Sequence, residues 1–125
     1  MKKLSSVCLI TENVCTLRDF YECVLEVTPD GDDDFVVFSG PSINFSIFSI
    51  DGLEKMVPGL MSNFGAGNCF LEFEVDDVDQ EFEHLKELKV VVIKPPTNQP
   101  WGLRSVWFRD PDGNKVNFFA KVTTR

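Results

Sequence analysis

Apolar and polar positions change period several times along the chain, and each change marks an element. Leu4 to Thr11 is a short apolar run with Val and Ile, which predicts a buried strand. From Val14, the residues Val14, Leu17, Phe20, Tyr21 and Val24 recur at helical spacing, with Thr11 or Asn13 placed to cap the first turn. Leu25 ends that helix, because Val27, Thr28 and Pro29 favour extended backbone. Phe35 to Ser39 and Ile43 to Ile50 read as strands around a Gly40-Pro41 turn. Asp51 to Gly67 is a long connector. Leu53, Met56, Val57 and Leu60 hint at a short helix there, interrupted by Pro58 and Gly59, and "FGAGN" reads as loop.

The second half opens with a clean alternation. Cys69, Leu71, Phe73 and Val75 fall on one face of a strand, and Phe70, Glu72, Glu74 and Asp76 on the other. "DDVDQEFEHLKEL" predicts an amphipathic helix with Val78, Phe82, Leu85 and Leu88 turned inward. Val90 to Ile93 reads as a strand, "KPPTNQPWG" as a loop, and Leu103 to Arg109 and Lys115 to Val122 as the last two strands. The order is β-α-β-β-β, connector, β-α-β-β-β. Both halves pass from a strand through an acidic or amide pair (Glu12-Asn13, then Asp76-Asp77) to Val and a helix, 64 positions apart. The expected architecture is α+β: two βαβββ modules forming a curved, cup-like mixed sheet with helices outside. Module one is expected at about 1–52, the connector at about 53–67 and module two at about 68–125, within one domain.

Composition narrows the function. Hydrophobic residues make up 43% of 125, including twelve Phe, so a packed interior is affordable and disorder is excluded. A net charge of −8 repels phosphate backbones, so no nucleic-acid partner is expected. The apolar start is broken at Glu12 and Asn13, so no signal peptide is expected. No window nears the run of about eighteen apolar residues that a membrane span needs. A cytoplasmic location follows as an expectation. Cys8, Cys15, Cys23 and Cys69 lack C-x-x-C spacing and are expected to be buried or half-buried thiols. The acidic run Asp30, Asp32, Asp33, Asp34 lacks the closing Glu of an EF-hand loop and reads as a solvated turn.

In "FRDPDGNKVNFFA", Pro111 presets φ, Asp110 can accept hydrogen bonds from residues ahead, and Gly113 can take positive φ, so Asp110–Asn114 predicts a hairpin turn. "PWGLRSVWFRDPDGNKVNFF", "LRDFYECVL" and "LEFEVDDVD" together resemble the vicinal oxygen chelate superfamily, which includes glyoxalase, extradiol dioxygenases and the fosfomycin- and bleomycin-resistance proteins. The resemblance covers nearly the whole chain.

In metal-using members, the resemblance implies a His or Gln seven residues before the acidic or amide residue that precedes each helix. It also implies a Glu a few residues past the Asp-Pro-Asp-Gly turn. Those positions hold Ser6, Phe70 and Asn117 here, and on the strand Ile43 to Ile50 the choices are Asn44 or Ser46. None of these is a good ligand for a divalent ion. The one histidine, His84, falls on the second helix, and a 2-His-1-carboxylate site needs two. No metal or other cofactor is expected. Glu72 and Glu74 remain as carboxylates that either serve a hard cation or acid–base chemistry, or simply lie solvated or paired.

Rings and amides then characterise the expected site. Phe70, Trp101, Trp107 and Phe119 are candidates for its lining, and Glu72, Arg104 and Asn117 for orienting a ligand. Trp107 shares its strand parity with Ser105 and Arg109, whereas Arg104 goes with Val106 and Phe108, and parity alone leaves the inward face open. Phe45 and Phe48 have opposite parity, so only one of them can line a cup. The resemblance to bleomycin-resistance proteins implies a metal-free, antibiotic-binding homodimer in a bacterial cytoplasm, sequestering a flat aromatic or cationic small molecule. The alternatives are a glyoxalase-like lyase or dioxygenase with non-standard ligands and a non-catalytic dimeric interaction module.

Overall fold

The computed structural model describes residues 1, 4–59 and 70–122. The expected "FGAGN" loop, Leu60 and Cys69 lie outside them. The chain divides into two compact units, Met1–Ala66 and Gly67–Arg125, and each carries a four-stranded mixed sheet.

In the first unit the elements are β1 (Ser6–Thr11), α1 (Val14–Leu25), β2 (Asp30–Gly31), β3 (Phe35–Phe38), β4 (Asn44–Ser49) and α2 (Ile50–Met56). Asn13 is the cap of α1: its side chain accepts from Thr16 N at 3.1 Å, while Thr11 Oγ1 accepts from Asn13 N at 3.1 Å. Glu26, at φ 56°, closes the helix in the left-handed region, which turns the chain toward Val27. The helix buries Val14, Leu17, Tyr21 and Val24. Tyr21 meets Phe45 edge-on at 4.8 Å between centroids, so Phe45 faces the helix and Phe48 the opposite side, where it meets Phe35.

The sheet order is β1-β4-β3-β2, with β1 parallel to β4 and the remaining pairs antiparallel. The two-residue β2 lies inside the acidic run that reads as a turn. That run is exposed but not simply solvated. Asp32 Oδ1 accepts from the backbone of Asp34 and Phe35, and Asp33 takes Arg18 at 3.1 Å and the Cys15 thiol at 3.1 Å. Cys15 is half-buried, whereas Cys8 and Cys23 are exposed. Cys8 falls on the β1 parity opposite Val7 and Leu9, which neighbour the helix-facing Phe45 and Ile47, and Cys23 falls outside the buried stripe of α1.

The second unit repeats the plan: β5 (Phe70–Glu74), α3 (Val78–Glu87), β6 (Val91–Asn98), β7 (Leu103–Arg109) and β8 (Lys115–Lys121). Its order is β5-β8-β7-β6, with β5 parallel to β8. Asp77 caps α3 through Gln80 N at 3.1 Å, the role Asn13 plays for α1. Val78 and Leu85 of α3 are buried, as are Val106, Phe108, Val116 and Phe118 of the sheet. Phe118 packs edge-on against Phe108 at 4.8 Å and Phe73 at 5.9 Å. Phe82 is half-buried under the Lys86 ammonium, and Leu88 is exposed because the helix ends before it.

The departure from expectation is β6, which runs through Pro95 and Pro96 instead of ending at Ile93. An edge strand pairs on one side only, so a residue without N–H costs it no ladder bond when it faces outward. The ladder to β7 shifts register between Val92 and Lys94 and between Lys94 and Thr97, around the prolines. The hairpin turn forms as expected. Asp110, 5% exposed, accepts from Asp112 N and Asn114 N at 2.9 Å, and Gly113 takes φ 84°.

Phe118→Ala removes the ring that joins Phe73 to Phe108. It is expected to lower the unfolding free energy by about 3–5 kcal/mol in urea titration.

Candidate functional site

The pleat of β8 decides what the second sheet offers. Val116 and Phe118 go to the core, so Asn117 must emerge on the other face. On that face Asn117 lies between Glu72 of β5 and Trp107 of β7. By the same parity Phe70 and Glu74 flank Glu72, and Ser105 sits two residues from Trp107. A cavity of about 270 Å³ opens there, lined by Phe70, Glu72, Gln99, Trp101, Leu103, Ser105, Trp107 and Asn117.

The walls are rings. Phe70 and Trp107 meet edge-on, with centroids 4.8 Å apart and planes at 69°. Trp101, 71% exposed, stands at the rim. The polar groups have defined partners. Asn117 Nδ2 donates to Glu72 Oε1 at 3.0 Å, and Gln99 Nε2 donates to Ser105 Oγ at 3.3 Å. Among the described residues Glu72 has no cationic partner, although it is exposed. Asn117 is 3% exposed and its Oδ1 is buried with no hydrogen-bond partner among the described residues. An unsatisfied buried carbonyl of this kind costs about 1–3 kcal/mol.

Five of the seven residues singled out from the sequence meet in this cavity: Phe70, Glu72, Trp101, Trp107 and Asn117. Phe119 does not line it. It shares the face of Asn117 but lies one step further along, in register with Glu74 and Ser105. Arg104 is on the opposite face. Its Nε and Nη2 clasp the two carboxylate oxygens of Asp79 on α3 at 2.9 and 2.8 Å, and Nη1 donates to Asn98 at 3.0 Å. Helix α3 therefore lies on the Arg104, Val106 and Phe108 side, and Trp107 turns to the cavity. Gln99, Leu103 and Ser105 join those five in the lining, beyond the residues the sequence pattern points to. For Ser105 the signal was its shared parity with Trp107; Gln99 sits in the segment read as a loop.

A larger depression, of about 330 Å³, lies around Asp76, Asp77, Asp79 and Arg104 at the start of α3. Three carboxylates surround a guanidinium already held by Asp79, and Lys121 adds a second cation to the lining. The Arg104 hydrogen bonds hold the Asp79 carboxyl below its ordinary value against the opposing effect of burial, and Asp79 in turn raises Arg104.

The residues at the metal positions implied by family resemblance do not fit a divalent ion. Phe70 has no donor atom. Asn117 is a neutral amide whose N–H side is turned to Glu72. His84 is half-buried on α3 and is absent from the cavity lining.

Two βαβββ units, each with a capped helix after its first strand, together with the Asp110–Asn114 turn of the second, define the class of fold. A family model described as the Glyoxalase/Bleomycin resistance protein/Dioxygenase superfamily matches residues 3–118, and the chain belongs to that superfamily. A protein of unknown function from Agrobacterium tumefaciens str. C58 is similar at 26% identity and TM-score 0.81, over 98% of this chain and 96% of that one. A glyoxalase/bleomycin resistance protein/dioxygenase family enzyme from Burkholderia phytofirmans PsJN shares the fold at 18% identity and TM-score 0.84, over 97% and 100%. A lactoylglutathione lyase from Agrobacterium tumefaciens does so at 20% identity and TM-score 0.75, over 96% and 94%. No curated protein sequence matches the chain. No helix among the described residues is long and apolar enough to cross a membrane.

Two outcomes are expected. Because Asp79 is held low, its pairing with Arg104 adds stability above the ordinary aspartate range, and that contribution is lost as pH falls through the lowered value. Unfolding curves of Asp79→Asn and the parent are therefore expected to differ at neutral pH and to converge in strong acid. Second, Phe70→His with Asn117→Glu adds two donors beside Glu72. Zinc or nickel affinity by calorimetry should rise about tenfold or more, and no gain would contradict the register described for this face.

Proposed function

We propose that the chain binds a small flat aromatic cation in the second-unit cavity and does so without a catalytic metal. The observation that carries this reading is the cavity itself. Two rings form its wall, a third stands at its rim, and its one charged lining residue is a carboxylate. A cation over ring faces gains from the ring quadrupole, and the exposed Glu72 adds opposite charge. The volume suits a one- or two-ring body rather than a large drug.

Sequestration rather than turnover is the proposed role, in keeping with the superfamily's bleomycin-resistance branch, with the chain acting as a homodimer in a bacterial cytoplasm. The lyase or dioxygenase reading asks for metal donors that Phe70 and Asn117 do not supply.

Titration with N-methylquinolinium, followed by tryptophan emission, is expected to quench Trp107 and Trp101 saturably. Glu72→Gln should weaken binding about fivefold. Arg104→Leu, on the opposite face, should leave it within about twofold. A linear, unsaturable response, or equal affinity for the anion quinoline-2-carboxylate, would overturn the proposal.

A further inference from the structure

The floor of the cavity carries an unmet demand. Asn117 is 3% exposed, and its Oδ1 is a buried acceptor without a partner. The amide cannot be turned over to cure this. Its Nδ2 donates to Glu72 Oε1 at 3.0 Å, and the reverse orientation would set a carbonyl oxygen against a carboxylate. The other polar side chains of the lining do not serve Oδ1 either: the Gln99 amide is spent on the Ser105 hydroxyl at 3.3 Å. Among the described residues no donor reaches this atom, and its carrier lines the place where a ligand would sit.

We infer that Asn117 Oδ1 receives an N–H from the ligand, and that the N–H belongs to the positively charged group. Two acceptors then act on one head group. Asn117 takes a hydrogen bond, while the exposed Glu72 carboxylate, already oriented by the Asn117 amide, supplies the countercharge. The class selected is an aryl amidinium or protonated aryl amine, against a quaternary ammonium of equal charge and similar size. Phe70 and Trp107 take the ring in either case. This rests on the aromatic-cation reading above and adds a requirement to it. A quaternary head satisfies the charge and leaves Oδ1 unpaired, and an unpaired buried polar group is what makes such sites discriminate.

The test compares benzamidinium with phenyltrimethylammonium, both aromatic monocations, of which only the first carries N–H. Calorimetry and tryptophan emission on the full chain are expected to show benzamidinium binding about tenfold tighter. Asn117→Leu should erase that preference, weakening benzamidinium about tenfold more than phenyltrimethylammonium, which loses only the orientation of Glu72. If the leucine variant fails to fold, Asn117→Ser serves in its place, and the ratio in the unmodified chain is decisive by itself. Equal affinities in the unmodified chain, or a preference that survives loss of the amide, would overturn this inference while leaving the aromatic-cation reading standing. Failure of both cations to bind would overturn the two together.

Discussion

The alternation of β8 is the constraint on which the rest depends. A strand buried on one face has no freedom to choose which residues it shows on the other. Phe118 and Val116 are locked under α3, with Phe108 and Val106 beside them, so Asn117 must stand on the far side next to Glu72 and Trp107. A slip of one residue would turn the amide toward α3 and Phe118 onto the cavity face. The core therefore specifies the cavity indirectly: the same packing that makes the unit stable sets which polar groups converge opposite it.

That cavity trades one kind of binding chemistry for another. Divalent ions are held by several lone pairs at fixed short distances, supplied by imidazoles and carboxylates. Here a phenyl ring and a primary amide stand at two such positions, and the amide's N–H side is directed at a carboxylate. What remains is polarisable surface, negative charge and an unfilled acceptor. On the proposed reading, those suit a flat cation better than a bare metal ion.

Much of this could be read from the residues before the fold was known, because local chemistry carried it. Asn13 and Asp77 are short polar side chains directly before helical periodicity, and both are caps. Asp110 and Gly113 sit where a tight turn needs an acceptor and a positive φ. The alternation of Phe70 to Glu74 put Phe70 and Glu72 together. Other features depended on partners far away in sequence. Both parities of β7 carry aromatic residues, so only the contact of Arg104 with Asp79 tells which side faces the helix. Pro95 and Pro96 look like loop until the strand proves to be an edge. Cys8 and Cys23 are apolar enough to suggest burial, but neither lies on the packed face of its element.

The central claim is that this face presents rings and acceptors suited to an organic cation and does not grip a divalent ion. Elemental analysis of tag-free protein, purified without chelators, addresses it most directly. The account predicts zinc, nickel, manganese and iron far below one ion per chain. A near-stoichiometric content of any of them, retained through dialysis and lost in Glu72→Gln, would contradict it.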